Sequence, residues 1–305
     1  MTTQQQALAA VKSAGSKAAA ARELGITRSK LRRLLDKPSI DQTKFKQICK
    51  PSGKETRVLV LPDAHDNPRL PKDRFDLMGI HATEGSFDYL VSIGDIADFE
   101  SLCSQMPNDT MKGRGKGTFM DDMESLEEAL MYIDSQTQCG SIKKVITLGN
   151  HEHRIWKMED QNPEIAGLMK EKLLGTLEQY GWEVHPYGAY VGIAGVDFTH
   201  IPFNKMGRPI GGKYVTNTLG REAVRDTVIG HTHNAGVHTA PKIGGTSRRV
   251  RIVEVGCALP WGMMADYAEH SQTSWWWGVV ELTIIKGQIE GWNFIPMYTL
   301  ERLYK

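Results

Sequence analysis

Between residues 57 and 234 the chain repeats one local pattern, a short apolar run that stops at an acid, an amide or an imidazole. The runs are RVLVLPDAHDN (57–67), FDYLVSIGDIAD (87–98), KKVITLGNHEHR (143–154), GVDFTH (195–200) and RDTVIGHTHN (225–234). Continuous apolar runs of this length read as strands buried on both faces, and layered α/β folds gather their ligand-binding groups beyond the carboxyl ends of such strands. The pattern therefore restricts the chain to an α/β architecture in which five strand ends supply one site. The segments FMDDMESLEEALMYIDSQ (119–136) and NPEIAGLMKEKLLGTLEQYG (162–181) carry helical spacing and are expected to cover the sheet.

In an extended chain residues i and i+2 project to the same side, which pairs Asp63 with His65 and His231 with His233. Four of the ten histidines (65, 200, 231 and 233), together with Asp63, Asp95 and Asn150, end apolar runs, a regularity that core-filling histidines do not produce. Carboxylate, imidazole and amide donors in combination suit two divalent ions of the Mn, Fe or Zn type better than calcium, which takes oxygen alone. His81, His153, His185, His238 and His270 have no spacing partner and read as structural or exposed. The four cysteines lack CxxC spacing and read as reduced core thiols.

In chain order the elements are DAH, GDIAD, GNHE, FTH and GHTH. This order resembles the calcineurin-like metallophosphoesterase family, whose pattern is DxH, GDxxD, GNH, a lone H and GHxH. The resemblance covers residues 57 to about 296, and VGCALP followed by WWWGVVELTII looks most like metallophosphoesterases encoded by bacteriophages. It implies a four-layer α/β/β/α sandwich and two divalent ions, Mn first, with Fe, Zn or Ni as alternatives. Carried over by position, Asp63, His65, Asp95 and His233 would hold one ion and Asp95, Asn150, His200 and His231 the other, with Asp95 bridging. The reaction implied is in-line attack on a phosphoester by a metal-bridging hydroxide. His151 would stabilise charge or protonate the leaving oxygen, and Asp98 would orient it. Protein Ser/Thr phosphatases of the family continue GDxxD with arginine and glycine, whereas Asp98 is followed by Phe99 and Glu100, which argues against that substrate class. Arg154 could contact substrate phosphate or form a surface ion pair. The loop MKGRGKG (111–117) could close over a phosphate backbone or simply be solvated, and Trp275 to Trp277 are expected to split between core and surface.

The net charge of +1 hides an asymmetry: residues 1–55 hold 12 Lys/Arg against 4 Asp/Glu, and the remaining chain 25 against 32. The basic part reads as a helix-turn-helix over residues 1–37. Ser16 and Thr27 cap the later two helices, Ala21 sits at their crossing, Gly25 turns the chain, and Leu24, Ile26, Leu31 and Leu34 form the buried stripe. Arg28, Ser29, Arg32 and Arg33 face outward on the third helix, as suits a DNA major groove. Residues 38–56 read as a linker and 57–305 as the hydrolytic domain. Tethering to DNA makes a nucleic acid phosphodiester the expected substrate. The alternatives are a phosphatase or phosphodiesterase of nucleotides or other small phosphoesters, and a DNA-binding regulator with an inactive esterase domain. The most apolar run, WWWGVV at 275–280, is far short of a membrane span, so no membrane partner and a cytoplasmic location are expected, in a bacterial host if phage-encoded.

Overall fold

The computed structural model describes residues 4–14, 16–28, 30–31, 45–104, 111–137, 142–244, 248–264 and 274–305. At the amino end, α1 (Gln4–Ala14) is followed by α2 (Lys17–Glu23), whose N-cap Ser16 accepts a hydrogen bond from the Ala19 N–H at 3.2 Å. Gly25 turns the chain at φ +61°, a left-handed conformation that costs glycine little. Ala7, Ala10, Ala20, Ala21 and Leu31 then bury one another, with Leu24 and Ile26 against them. Small side chains let these helices approach closely. Arg28 is exposed; Ser29, Arg32, Arg33 and Leu34 lie outside the described residues.

The sheets are built from twelve described strands. One sheet has the order β1-β6-β7-β8-β10-β9, from Phe45–Gln47, Tyr190–Ile193, Val196–Thr199, Thr227–Ile229, Arg249–Val255 and Ala235–Pro241. The other has the order β12-β11-β2-β3-β4-β5, from Gln288–Pro296, Gly278–Ile285, Thr56–Leu61, Tyr89–Ser92, Lys143–Thr147 and Trp182–His185. Strands β2 to β5 run parallel, as do β7, β8 and β10, so their carboxyl ends emerge together. Here the expected linker ends early: Phe45–Gln47 pairs in parallel with Tyr190–Gly192 as β1, because an open sheet edge offers unpaired N–H and C=O groups that an adjacent extended segment satisfies.

Alternate residues of the central strands serve two cores. Val58, Val60, Val91 and Val280 meet Val191, Phe198, Val228 and Val253 between the sheets. Leu59, Leu61, Leu90 and Ile146 point the other way, onto α3 (Asp73–Glu84), α5 (Phe119–Thr137) and α7 (Leu168–Gln179). Between α3 and α5, Met111–Arg114 makes a helical turn (α4), so part of the basic glycine loop is helical. On the far side of the first sheet, Val215 and Leu219 of α8 (Val215–Glu222) cover Ile229, Val250 and Ile252. The result is two six-stranded sheets flanked by helices. The remaining helices are α6 (His153–Gln161) and α9 (Met297–Tyr304), the latter packed on α3. No described helix is long and apolar enough to cross a membrane.

Candidate metal centre

The loops following β2, β3, β4, β7 and β8 bring their polar residues together where the two sheets meet. Asp63, His65 and His233 form one group of donors, Asp95, His200 and His231 a second, and His65, Asp98 and His151 a third, the donor atoms of each lying within 4.8 Å of one another. The two histidines of GHTH thus serve different groups. Asp63, Asp95 and His200 are at most 1% exposed.

The pairing of Asp63 with His65 and the placing of His231 and His233 do not come from extended backbone. His65, Asp95, His231 and His233 all have φ between 44° and 69°. Left-handed backbone at non-glycine residues is strained, and its concentration here shows tight turns aiming the side chains inward. Two glycines make the turns possible. A Cβ at Gly149 would strike the Asp95 carboxylate, and one at Gly230 would strike that of Asp63.

Main-chain donors hold the carboxylates. The His231 N–H donates to Asp63 Oδ2 at 2.8 Å, and the His151 N–H donates to Asp95 Oδ1 at 2.8 Å. The His200 Nδ1–H donates to the Ile93 carbonyl at 3.0 Å, which commits Nε2 to the centre, 3.0 Å from Asn150 Oδ1 and 3.3 Å from Asp95 Oδ2. His233 Nε2 lies 3.2 Å from Asp63 Oδ2. Burial pushes the Asp63 and Asp95 carboxyls toward the neutral form, but His200 and its imidazole neighbours outweigh it and hold both low. Burial works against a charged His200 too, yet Asp95 and Asp63 raise it to about 9. His231 is driven down to about 4 by burial and by the charge of His200.

These donors fit a divalent cation. Asp63 Oδ1 and His65 Nδ1 are buried with no hydrogen-bond partner, and the charge of the two buried carboxylates is compensated only by neighbouring imidazoles, His200 first among them. A cation supplies what the protein leaves unsatisfied. The described His/Asp groups can hold a metal ion.

His151 and Asp98 stand beside the donors. His151 Nδ1 is 2.7 Å from Asp98 Oδ1 and 2.8 Å from the Asp98 carbonyl, while its Nε2 is 3.8 Å from Asp95 Oδ2. Burial opposes charging of His151, but Asp95 and Asp98 overcome it and raise its pKa. Arg154 is half-buried and forms an ion pair with Asp98 Oδ1 at 3.7 Å. It donates to the Asp98 carbonyl at 2.6 Å and to His151 Nε2 at 3.2 Å.

Several residues of the centre escape sequence reasoning. Glu152, fully buried, accepts from the N–H groups of Asp95 (2.9 Å), Ala97 (3.2 Å) and Gly149 (2.7 Å), tying the β3 and β4 loops together. Burial, with Asp95 nearby, pushes it up to about 7. Its only sequence signal is its place after GNH. His153, expected to be structural or exposed, stacks on Tyr187 at 4.8 Å, and Tyr187 sits 6.4 Å from His200. Trp275 packs edge-on against His233 at 4.2 Å, whereas Trp276 packs on Phe294 and Trp277 donates to the Met263 carbonyl.

No family model matches the chain, and no curated protein matches it. Among solved structures it is similar to one crystal structure at 11% identity over 75% of this chain and 95% of the other, with a TM-score of 0.40. It is also similar to TT1561 of Thermus thermophilus at 10% identity over 67% of this chain and 90% of the other, with a TM-score of 0.27. Likenesses this distant carry no argument about chemistry.

Proposed function

We propose that the chain is a divalent-metal-dependent phosphoester hydrolase of the calcineurin-like kind, acting as a phosphodiesterase on DNA. The observation that carries the reading is the pair of buried Asp/His groups around Asp63 and Asp95, flanked by His151 hydrogen-bonded to Asp98. Asp63, His65, Asp95 and His233 would hold one ion, and Asp95, Asn150, His200 and His231 a second. Such ions, Mn first among them, supply an activated water at neutral pH and charge compensation for the phosphoryl oxygens.

The chain's own groups supply the rest. Asp98 accepts from His151 Nδ1 and so presents Nε2 to the leaving oxygen; the carboxylates of Asp95 and Asp98 favour a proton on that atom. Arg154 now donates to Nε2; were its guanidinium to turn to a phosphoryl oxygen on substrate binding, Nε2 would be freed to take a proton from solvent and pass it to the leaving oxygen. Tyr187 and Trp275 pack beside the donor imidazoles His200 and His233 and would brace them. DNA is preferred because the amino-terminal residues are strongly basic and expose Arg28, which would raise the local concentration of DNA at the centre.

The test is turnover by the purified full chain with Mn, Fe, Zn or Ni against single-stranded and duplex DNA, RNA, nucleotides and a chromogenic phosphodiester. Metal-dependent DNA cleavage is expected. Cleavage confined to nucleotides and the chromogenic ester would replace DNA by small phosphoesters, and no turnover with any metal would overturn the hydrolase reading.

A further inference from the structure

The segment from residue 45 to 56 leaves one sheet at β1, crosses the base of the sandwich and enters the other at β2. It is well anchored: the Ala194 N–H donates to Cys49 Sγ at 3.0 Å, Gln47 Nε2 to the Gly192 carbonyl at 3.0 Å, and the Lys286 N–H to the Ser52 carbonyl at 2.8 Å. A groove runs on either side of this strap. One, of about 240 Å³, is lined by Arg225, Arg248, Arg249 and Lys286; the other, of about 610 Å³, by Lys50, Lys54 and Lys143.

Seven cations face three acids, and the acids are mostly engaged. Asp226 is buried and accepts from the Arg251 and Ile289 N–H groups, and Asp88 accepts from the Arg57 N–H; Glu55 is the third. Among the described residues Lys50, Lys54, Arg249 and Lys286 have no ion-pair partner. Arg225 differs, being paired with Asp197 and lying over the Phe45 ring. Arg248 donates to the Val224 carbonyl and Lys143 lies over Tyr89.

We infer that these two basic grooves bind the phosphate backbone of a nucleic acid. Unpaired like charges gathered in one region repel one another and are compensated by a regular array of anions. Concave grooves suit a strand lying within them, where a flat lipid surface would touch only their rims. A single phosphate would answer only one of several separated cations.

The grooves lie at the amino ends of β2, β3, β4 and β8, and the metal-binding loops follow the carboxyl ends of the same strands. β2 has six residues, so about 20 Å separates the two regions. A small phosphoester cannot touch both, but a polynucleotide can be anchored at the base while another part meets the metal centre. That purpose rests on the hydrolase reading; the binding does not.

The experiment uses the full chain in EDTA, where hydrolysis is silent, with a labelled 20-mer in single-stranded and duplex form followed by fluorescence anisotropy across a salt series. Arg249→Ala/Lys286→Ala, Lys50→Ala/Lys54→Ala and the quadruple variant are compared with wild type. Removing each phosphate-binding side chain should flatten the log–log salt slope on duplex by about 0.9, up to about 3.6 for the quadruple variant, with affinity falling about tenfold or more at low salt. These side chains are exposed and distant from the donor loops, so turnover of a chromogenic phosphodiester, where wild type shows it, should not change. Unchanged slope and affinity would overturn the inference. So would variants that lose binding to anionic phospholipid vesicles or tripolyphosphate while keeping it for DNA. Loss of DNA binding in a chain that hydrolyses nothing would still support the grooves, so the two readings fail separately.

Discussion

The Nε2 atoms of His65 and His233 lie 2.9 Å apart although 168 positions separate the residues in sequence. That is hydrogen-bond distance, with one imidazole donating; two imidazoles on one tetrahedral ion stand about 3.3 Å apart. The rings are thus held just short of ligand spacing. His65→Ala and His233→Ala should each abolish high-affinity metal binding, and Trp275→Leu, which removes the ring bracing His233, should weaken it about tenfold. Isothermal titration with Mn measures all three, and a Trp275 variant with wild-type affinity would show that the contact does not orient the ligand.

His151→Ala should behave differently from the donor variants. Metal content should stay near wild type while hydrolysis falls about 100- to 10,000-fold, the usual contribution of a general acid. Elemental analysis beside kinetics separates the outcomes, and loss of metal from this variant would make His151 a ligand.

Glu152→Ala leaves three buried N–H groups without an acceptor, at about 1–3 kcal/mol each. Glu152→Gln keeps one oxygen for Asp95 and Gly149 but turns an amide toward the Ala97 N–H, so it should cost roughly one such group. Urea unfolding of the metal-free proteins should rank wild type above Gln above Ala; equal midpoints would refute the tie between the two loops.

Glu159 makes stability depend on pH. Burial pushes its carboxyl up, but the Lys170 ammonium at 2.8 Å and the N–H groups of Gly167, Met169 and Lys170, each at 2.9 Å, outweigh it and bring the pKa down to about 2. A carboxyl depressed in the folded state stabilises above its unfolded pKa and loses that contribution as pH falls through the folded one. Wild type should therefore lose stability between about pH 4.5 and pH 2 by an amount that Glu159→Gln does not. Identical acid profiles would count against it.

Removal of residues 1–44 should leave turnover of a small phosphodiester unchanged, since the donors begin at Asp63. Removal of residues 1–51 should instead lower the melting temperature by several degrees, because it takes β1 and the Cys49 anchor from the sheet edge. Equal melting temperatures would make β1 dispensable.

The five strands that carry the site were legible because a buried strand needs apolar residues throughout, so Val58–Leu61 or Val228–Ile229 admit little else. The donors were legible because each follows such a run directly. Their backbone was not: alternation predicts extended pairs, whereas tight turns bend His65, His231 and His233 into left-handed conformations. Glu152 and Trp275 act through partners 55 to 57 and 42 residues away, and β1 pairs 145 residues downstream, contacts that local pattern does not encode. The strap's basic residues read as part of a separate module because composition counts charge without saying which surface carries it.

The pairing of β2 with β11 has a consequence for how the chain is made. Val60 opposes Val280, so the strand that leads into the first donors lacks one neighbour until some 220 further residues have left the ribosome. Until then its open edge exposes unpaired N–H and C=O groups beside an apolar face, a template for pairing with another nascent chain. Closure of so distant a contact makes folding slow, and expression should improve when synthesis is slowed or a holding chaperone is abundant.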